Sequence, residues 1–249
     1  MDLNFYLINY NMNHQTDQNY EKLKKYIPQK NILILDNGSD KITPHKETKI
    51  LLKENIKVSG AFRHIWDKEI AAKTKYVVTI TSSATLLNYD YASAIKNDIK
   101  EMKDNWSAIY CKIESVDSPM HEEIPDQIGI DKWIKNPLHA QPIFTIWNVE
   151  YLKEIKNKKY GWYDSAYNEG QGATEDMRMY NLTSSWNEWC SPNFSVHWYR
   201  NNTFREGRGG MTPEQYYQIN RNEFNKRFRQ KYNMNHRKII NHLKKHRRT

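Results

Sequence analysis

The 249-residue chain carries 38 Lys and Arg against 29 Asp and Glu, with 13% aromatic residues and two cysteines. Two thiols, Cys111 and Cys190, exclude a disulfide framework and a cysteine zinc site. No apolar run reaches the roughly 20 residues that a membrane helix needs, and the opening residues lack the basic start of a secretory signal. These features predict a soluble protein of a reducing compartment, the cytoplasm. The length suits one ordinary domain plus an extension. The positive surplus is local: 11 of the 38 Lys and Arg but only one acid, Glu223, fall in 221–249, so the rest of the chain is close to neutral.

In chain order, Leu3 to Ile8 reads as a first buried strand ending in Asn9-Tyr10-Asn11. A helix is predicted from Asp17 to Ile27, where Tyr20, Leu23 and Ile27 share a face and Pro28 ends it. The apolar run Ile32-Leu33-Ile34-Leu35 then breaks at once into Asp36-Asn37-Gly38-Ser39-Asp40, a buried parallel strand opening into a polar turn. Open α/β sheets bind ligands at such strand ends. The loop offers carboxylates, an amide, a hydroxyl and a glycine that lets the backbone approach a ligand, all suited to a nucleobase or ribose. An Asn-Gly turn without function is the plainer alternative.

A short third strand is predicted at Ile56-Lys57-Val58 and a helix from Ala61 to Thr74. Tyr76 to Ile80 is a further buried strand running into Thr81-Ser82-Ser83, followed by a helix from about Asp90 to Met102. Strands are expected at Ser107 to Ile113, Pro142 to Val149 and Phe194 to Val196. Strands alternating with helices predict an α/β domain over 1–210, its mixed, mainly parallel sheet flanked by helices. Residues 211–249 are a basic helical extension starting at Thr212-Pro213-Glu214. Its sparse apolar stripe, Ile239, Ile240 and Leu243, fits an anionic membrane surface, non-specific nucleic acid or a solvated helix.

The order of these features resembles the GT-A (Rossmann-like) glycosyltransferases, especially the large inverting family 2. The resemblance rests on Asn9-Tyr10, Asp36-Asn37-Gly38-Ser39-Asp40, the rough match Ala61-Phe62-Arg63-His64, Gly161-Trp162-Tyr163-Asp164 and Glu175-Asp176, spread over roughly residues 3 to 200. It implies transfer of a sugar from a UDP- or GDP-linked donor to a glycan or lipid-linked hydroxyl acceptor, with inversion. It further implies donor nucleotide contacts from Asn9, Tyr10, Asp36, Asn37, Ser39 and Arg63, with Asp176 as general base and Glu175 beside it. Thr174-Glu175-Asp176 is also a good helix start on its own.

The family's Asp-x-Asp position reads Thr81-Ser82-Ser83 here, and hydroxyls are poor ligands for Mn²⁺ or Mg²⁺. Asn88-Tyr89-Asp90 has acidic character one helix start later. Alternatively Thr81, Ser82 and Ser83, with amides of the following helix, hold phosphate without metal. His197 resembles the family's late histidine at the metal or diphosphate site, and Arg200, Arg205 and Arg208 could supply positive charge. Gly170-Gln171-Gly172 is a closing loop or a plain solvent loop. Trp162, Trp186, Trp189 and Trp198 are acceptor-stacking candidates or core. Two rivals to a working transferase stay open: a degenerate nucleotide-sugar or glycan-binding member, and a nucleic-acid binder driven by the tail, for which no specific sequence is expected.

Overall fold

The computed structural model describes residues 3–116, 126–137, 140–157, 181 and 184–198. Trp162, the 170–172 loop, Glu175, Asp176, Arg200, Arg205, Arg208, the boundary at 210 and the basic tail lie outside the described residues. In chain order the elements are β1 (Asn4–Asn9), α1 (Asn13–Lys24), β2 (Ile32–Asp36), β3 (Thr48–Leu51), α2 (Lys57–Ala71), β4 (Tyr76–Thr81) and β5 (Ala84–Leu86). There follow α3 (Tyr91–Glu101), β6 (Trp106–Val116), β7 (Ile134–Lys135), β8 (Phe144–Asn148), α4 (Val149–Asn157) and β9 (Asn187–Trp198).

The strands form one mixed sheet in the order β3-β2-β1-β4-β8-β6-β9-β5, with β7 against β9. From β3 to β4 every pairing is parallel, and antiparallel pairs begin at β8. Side chains alternate between two cores. Phe5 and Leu7 of β1 face Tyr20 and Leu23 of α1 and the apolar side of α3, while Tyr6 and Ile8 face α2 and α4. The second core is aromatic: Trp66 and Trp147 meet edge to face at 4.9 Å, flanked by Phe62 and Tyr110. Helices on both faces of the sheet bear out the α/β expectation.

Three local expectations change. The third strand is Thr48–Leu51, not 56–58, because Asn55 Oδ1 accepts the Lys57 N–H at 2.8 Å and the chain there turns into α2. Helix α1 begins at Asn13, before Asp17, since Asn9 Oδ1 accepts from the Met12 N–H and the Thr16 hydroxyl and fixes the first turn. Strand β5 follows Thr81-Ser82-Ser83 directly, so no helix N-terminus stands at that turn, and Asp90 caps α3 with its own side chain.

Only Ser82 and Ser83 separate β4 from β5. That short link spans at most ~10 Å, whereas β5 is four strands away along the hydrogen-bonded path, about 19 Å in a flat sheet. The sheet therefore folds over on itself. The fold occurs along β6 and β9, whose parallel register shifts at several bulges and whose outer halves carry β5. On its other side β5 is covered by α1: Asn19 Nδ2 donates to the Ala84 carbonyl at 2.7 Å and its Oδ1 accepts the Leu86 N–H at 2.9 Å.

Candidate functional site

The chain runs from β1 through α1 to β2 on one side of β1, then from β3 through α2 to β4 on the other. Strand order reverses between β1 and β4, whose carboxyl ends lie side by side, and such a reversal is where α/β sheets bind ligands. Asn9-Tyr10-Asn11 leaves β1 there, and Thr81-Ser82-Ser83 leaves β4. The Asp36–Asp40 loop stands one strand over, with Asn9 level with Asp36. The folded sheet brings His197 to the same edge, opposite Thr85 and only two residues beyond Ser83.

The two loops after β1 and β2 are stitched together by side chains. Asp36 is fully buried: its Oδ1 accepts the Ser39 N–H at 2.7 Å, and its Oδ2 accepts from Asn9 Nδ2 and the Ser39 hydroxyl, both at 2.9 Å. Ser39 Oγ in turn accepts the Asn11 N–H at 2.9 Å. Asn11, at φ 56°, donates from Nδ2 to Asp40 Oδ1 at 2.7 Å and accepts the Lys41 N–H on its own oxygen. This bond from Asn11 holds the exposed Asp40 carboxyl below its ordinary range, and the Tyr10 hydroxyl at 3.5 Å adds to it.

Asn37 works on the other side of the turn. Its backbone N–H donates to the Asn9 carbonyl at 2.8 Å, its Nδ2 donates to Asn55 Oδ1 and the Lys57 carbonyl, and its Oδ1 accepts the Ile56 N–H. Asn37 thus clamps the 55–57 segment, and with it the start of α2, to the end of β2. Gly38 was expected to admit a ligand. Instead it admits the chain's own backbone: at φ +70° a Cβ would stand 2.2 Å from the Glu54 carbonyl carbon and 2.5 Å from the Asn55 nitrogen.

Thr81 Oγ1 and Ser83 Oγ are 2.7 Å apart, and Ser82 makes no hydrogen bond among the described residues. His197 Nδ1 lies 2.7 Å from the Ser115 hydroxyl on β6. Arg63 is half-buried on α2. Neutral hydroxyls beside one imidazole do not fit a hard divalent cation, and among the described residues no three His, Cys, Asp or Glu side chains gather to hold a metal. At Asn88-Tyr89-Asp90 the carboxylate is committed to Ser93.

Trp186 lies elsewhere. It precedes β9, whose first residue pairs with Trp106 at the start of β6, so it sits at the opposite edge of the sheet from Asn9 and Thr81. Its indole N–H donates to Glu154 Oε2 at 2.9 Å and its ring meets Tyr151 at 5.4 Å, contacts that pack it against α4. Trp189 packs edge to face on Trp133, and Trp198 is buried in the first core. Sequence reasoning assigned no role to Asn11, Asn13 or Asn55. The available signal was their position in strand-end loops, where Asn side chains bond nearby backbone and tolerate positive φ.

No family model matches the chain, and no curated protein matches it in sequence. Solved structures do. Residues 1–349 of TarS from S. aureus match 93% of this chain and 74% of that one, with 14% identity and a TM-score of 0.52. The fold is GT-A. Looser likenesses include a cytidylyltransferase from Leptospira borgpetersenii (8% identity, TM-score 0.41, 78% of each chain). Another is glucosyl-3-phosphoglycerate synthase from Mycobacterium tuberculosis in complex with Mn²⁺ and UDP (14% identity, TM-score 0.33, 45% of this chain and 44% of that one). In GT-A terms, the β1, β2 and β4 loops described above form the carboxyl edge of the sheet, with His197 at its far corner.

Proposed function

We propose that this chain is a glycosyltransferase that moves a sugar from a nucleoside-diphosphate donor, UDP- or GDP-linked, to a hydroxyl of a glycan or lipid-linked acceptor, with inversion. The observation that carries the reading is the carboxyl edge of a GT-A sheet at the β1/β4 reversal of strand order, where Tyr10, Asn11, Ser39, Asp40, Ser82 and Ser83 bring partly exposed polar groups together on loops that Asn9 and Asp36 brace from within. In this reading the nucleoside lies along the first two loops, with Arg63 on α2 beside them. The diphosphate reaches the hydroxyl turn of Thr81, Ser82 and Ser83.

Asp176 is assigned as the general base that takes the proton of the acceptor hydroxyl as its oxygen attacks the anomeric carbon, and Glu175 as its neighbour on the acceptor side. The leaving diphosphate needs positive charge as it departs. His197, Arg200 and Arg205 are assigned that role, and Trp162 is assigned to stack on the acceptor sugar. No step is routed through a divalent cation, because the hydroxyls at the end of β4 do not fit one. Peripheral attachment through the basic tail would bring a cytoplasmic enzyme to a lipid-linked acceptor.

The experiment is a donor-hydrolysis and transfer screen of UDP-, GDP- and CMP-sugars with wild type and Asp176→Asn. Turnover with one donor class, lowered at least a hundredfold in the variant, supports the assignment. A second reading, a nucleotide-sugar-binding protein without turnover, draws on the replacement of acids by Thr81, Ser82 and Ser83. Tight donor binding with no hydrolysis in wild type would select it.

A further inference from the structure

The two acids of the Asp36–Asp40 loop have opposite environments. Asp36 has no solvent exposure, and three donors from Asn9 and Ser39 occupy its oxygens. No ligand reaches it without dismantling the loop. Asp40 is exposed at the tip of the loop, and the side chains of Asn11 and Tyr10 both approach it at Oδ1. A continuous chain of contacts joins the two: Asp36 to Ser39 Oγ, Ser39 Oγ to the Asn11 N–H, and Asn11 Nδ2 to Asp40.

We infer that these acids divide the labour at the donor site: Asp36 is a positioning residue that shapes both loops from within, and Asp40 is the carboxylate that meets the nucleoside, accepting its neutral O–H or N–H groups. The inference rests on the nucleotide-sugar reading above and deepens it. It departs from the sequence expectation, in which the first acid after the strand contacts the base or ribose. The chemistry that Asp40 selects is a hydrogen-bond donor held on a neutral group, which a uridine or guanosine offers twice, as the ribose diol and as the ring N–H of the base. Phosphate would be repelled, so the diphosphate must run away from Asp40, toward the Thr81–Ser83 turn. That direction follows the sheet edge from β2 across β1 to β4. Asn11 has a double task here, since the same side chain that closes the loop through Lys41 also aims the Asp40 carboxyl and holds it below its ordinary range.

The test is calorimetric titration of the full chain with UDP and GDP, in wild type, Asp40→Asn, Asp36→Asn and Asn11→Gly. Glycine at 11 keeps the positive φ and removes only the amide. Asp40→Asn is expected to weaken binding tenfold or more at an unchanged melting temperature, whereas Asp36→Asn lowers the melting temperature. Asn11→Gly is expected to move the acid limb of the binding profile to higher pH, because Asp40 loses the bond that holds its carboxyl low. A residue that only braces the loop would leave that limb in place. Repeating the Asp40→Asn comparison with 2′,3′-dideoxy-UDP and N3-methyl-UDP separates the sources: the analogue for which the variant no longer differs from wild type identifies the group that Asp40 meets. Binding by Asp40→Asn within twofold of wild type, or a tenfold gap that survives both analogues, overturns the inference alone. So does an Asp36→Asn chain that loses binding with its melting temperature intact. A wild type that binds neither nucleotide overturns this inference and the proposed function together.

Discussion

Replacing Gly38 by alanine tests the loop at its tightest point. The new Cβ would meet the Glu54 carbonyl carbon at 2.2 Å, the Asn55 nitrogen at 2.5 Å and the Glu54 Cα at 2.6 Å, all backbone atoms that cannot swing aside. Two costs add. A non-glycine residue at φ +70° costs about 1–2 kcal/mol, and forcing apart a packed contact costs about 1–3 kcal/mol. The expected loss is therefore about 2–5 kcal/mol, at the upper end if the Asn37 bonds to residues 55–57 break as well. Gly129 supplies the control: it has a similar φ of +60° but nothing within 4 Å of its Cβ position, so Gly129→Ala bears the first cost alone. Urea denaturation of both variants isolates the steric part as their difference. If the two lose the same stability within about 0.5 kcal/mol, the Gly38–Glu54 approach does not exist in solution and the clamp by Asn37 loses its basis. If the approach is real, Gly38→Ala also weakens nucleotide binding, because the displaced 54–57 segment pulls on the end of β2.

Other outcomes follow from the same geometry. Asp98, buried on α3, accepts from Asn193 Nδ2 at 2.7 Å, and burial pushes its carboxyl up to about 6. A raised carboxylate stabilises the fold below the unfolded value and loses that contribution as pH rises through the folded one, so stability should fall between about pH 4 and pH 6. Asp98→Asn should remove the slope and raise stability at pH 7 by up to ~3 kcal/mol; melts that show no difference in pH dependence would refute it. Trp186→Phe, which removes the N–H donated to Glu154, should cost about 1 kcal/mol of stability and leave acceptor KM unchanged; a raised acceptor KM would return Trp186 to the active site. Donor turnover should persist in excess EDTA. A loss of tenfold or more that Mn²⁺ restores would mean that carboxylates from outside the described residues complete a metal site.

The near-continuous apolar runs at Phe5 to Ile8, Ile32 to Leu35 and Tyr76 to Ile80 settle the strands and the α/β class by themselves, because a buried parallel strand needs apolar side chains on both faces and little else competes for such a run. The polar loop at the carboxyl end of β2 was legible too, since an apolar strand that breaks into Asp-Asn-Gly-Ser-Asp has to turn there. The roles inside that loop were not. Asp36 and Asp40 are equivalent as letters, and only the tertiary contacts of Asn9 and Ser39, brought from the neighbouring strand and the turn, bury one and leave the other in water. The same holds for Trp186 and for the turn after β4. Which sheet edge a residue occupies depends on pairings between strands far apart in the chain, such as Trp106 with Asn187, and a sequence carries the propensity to pair but not the choice of partner.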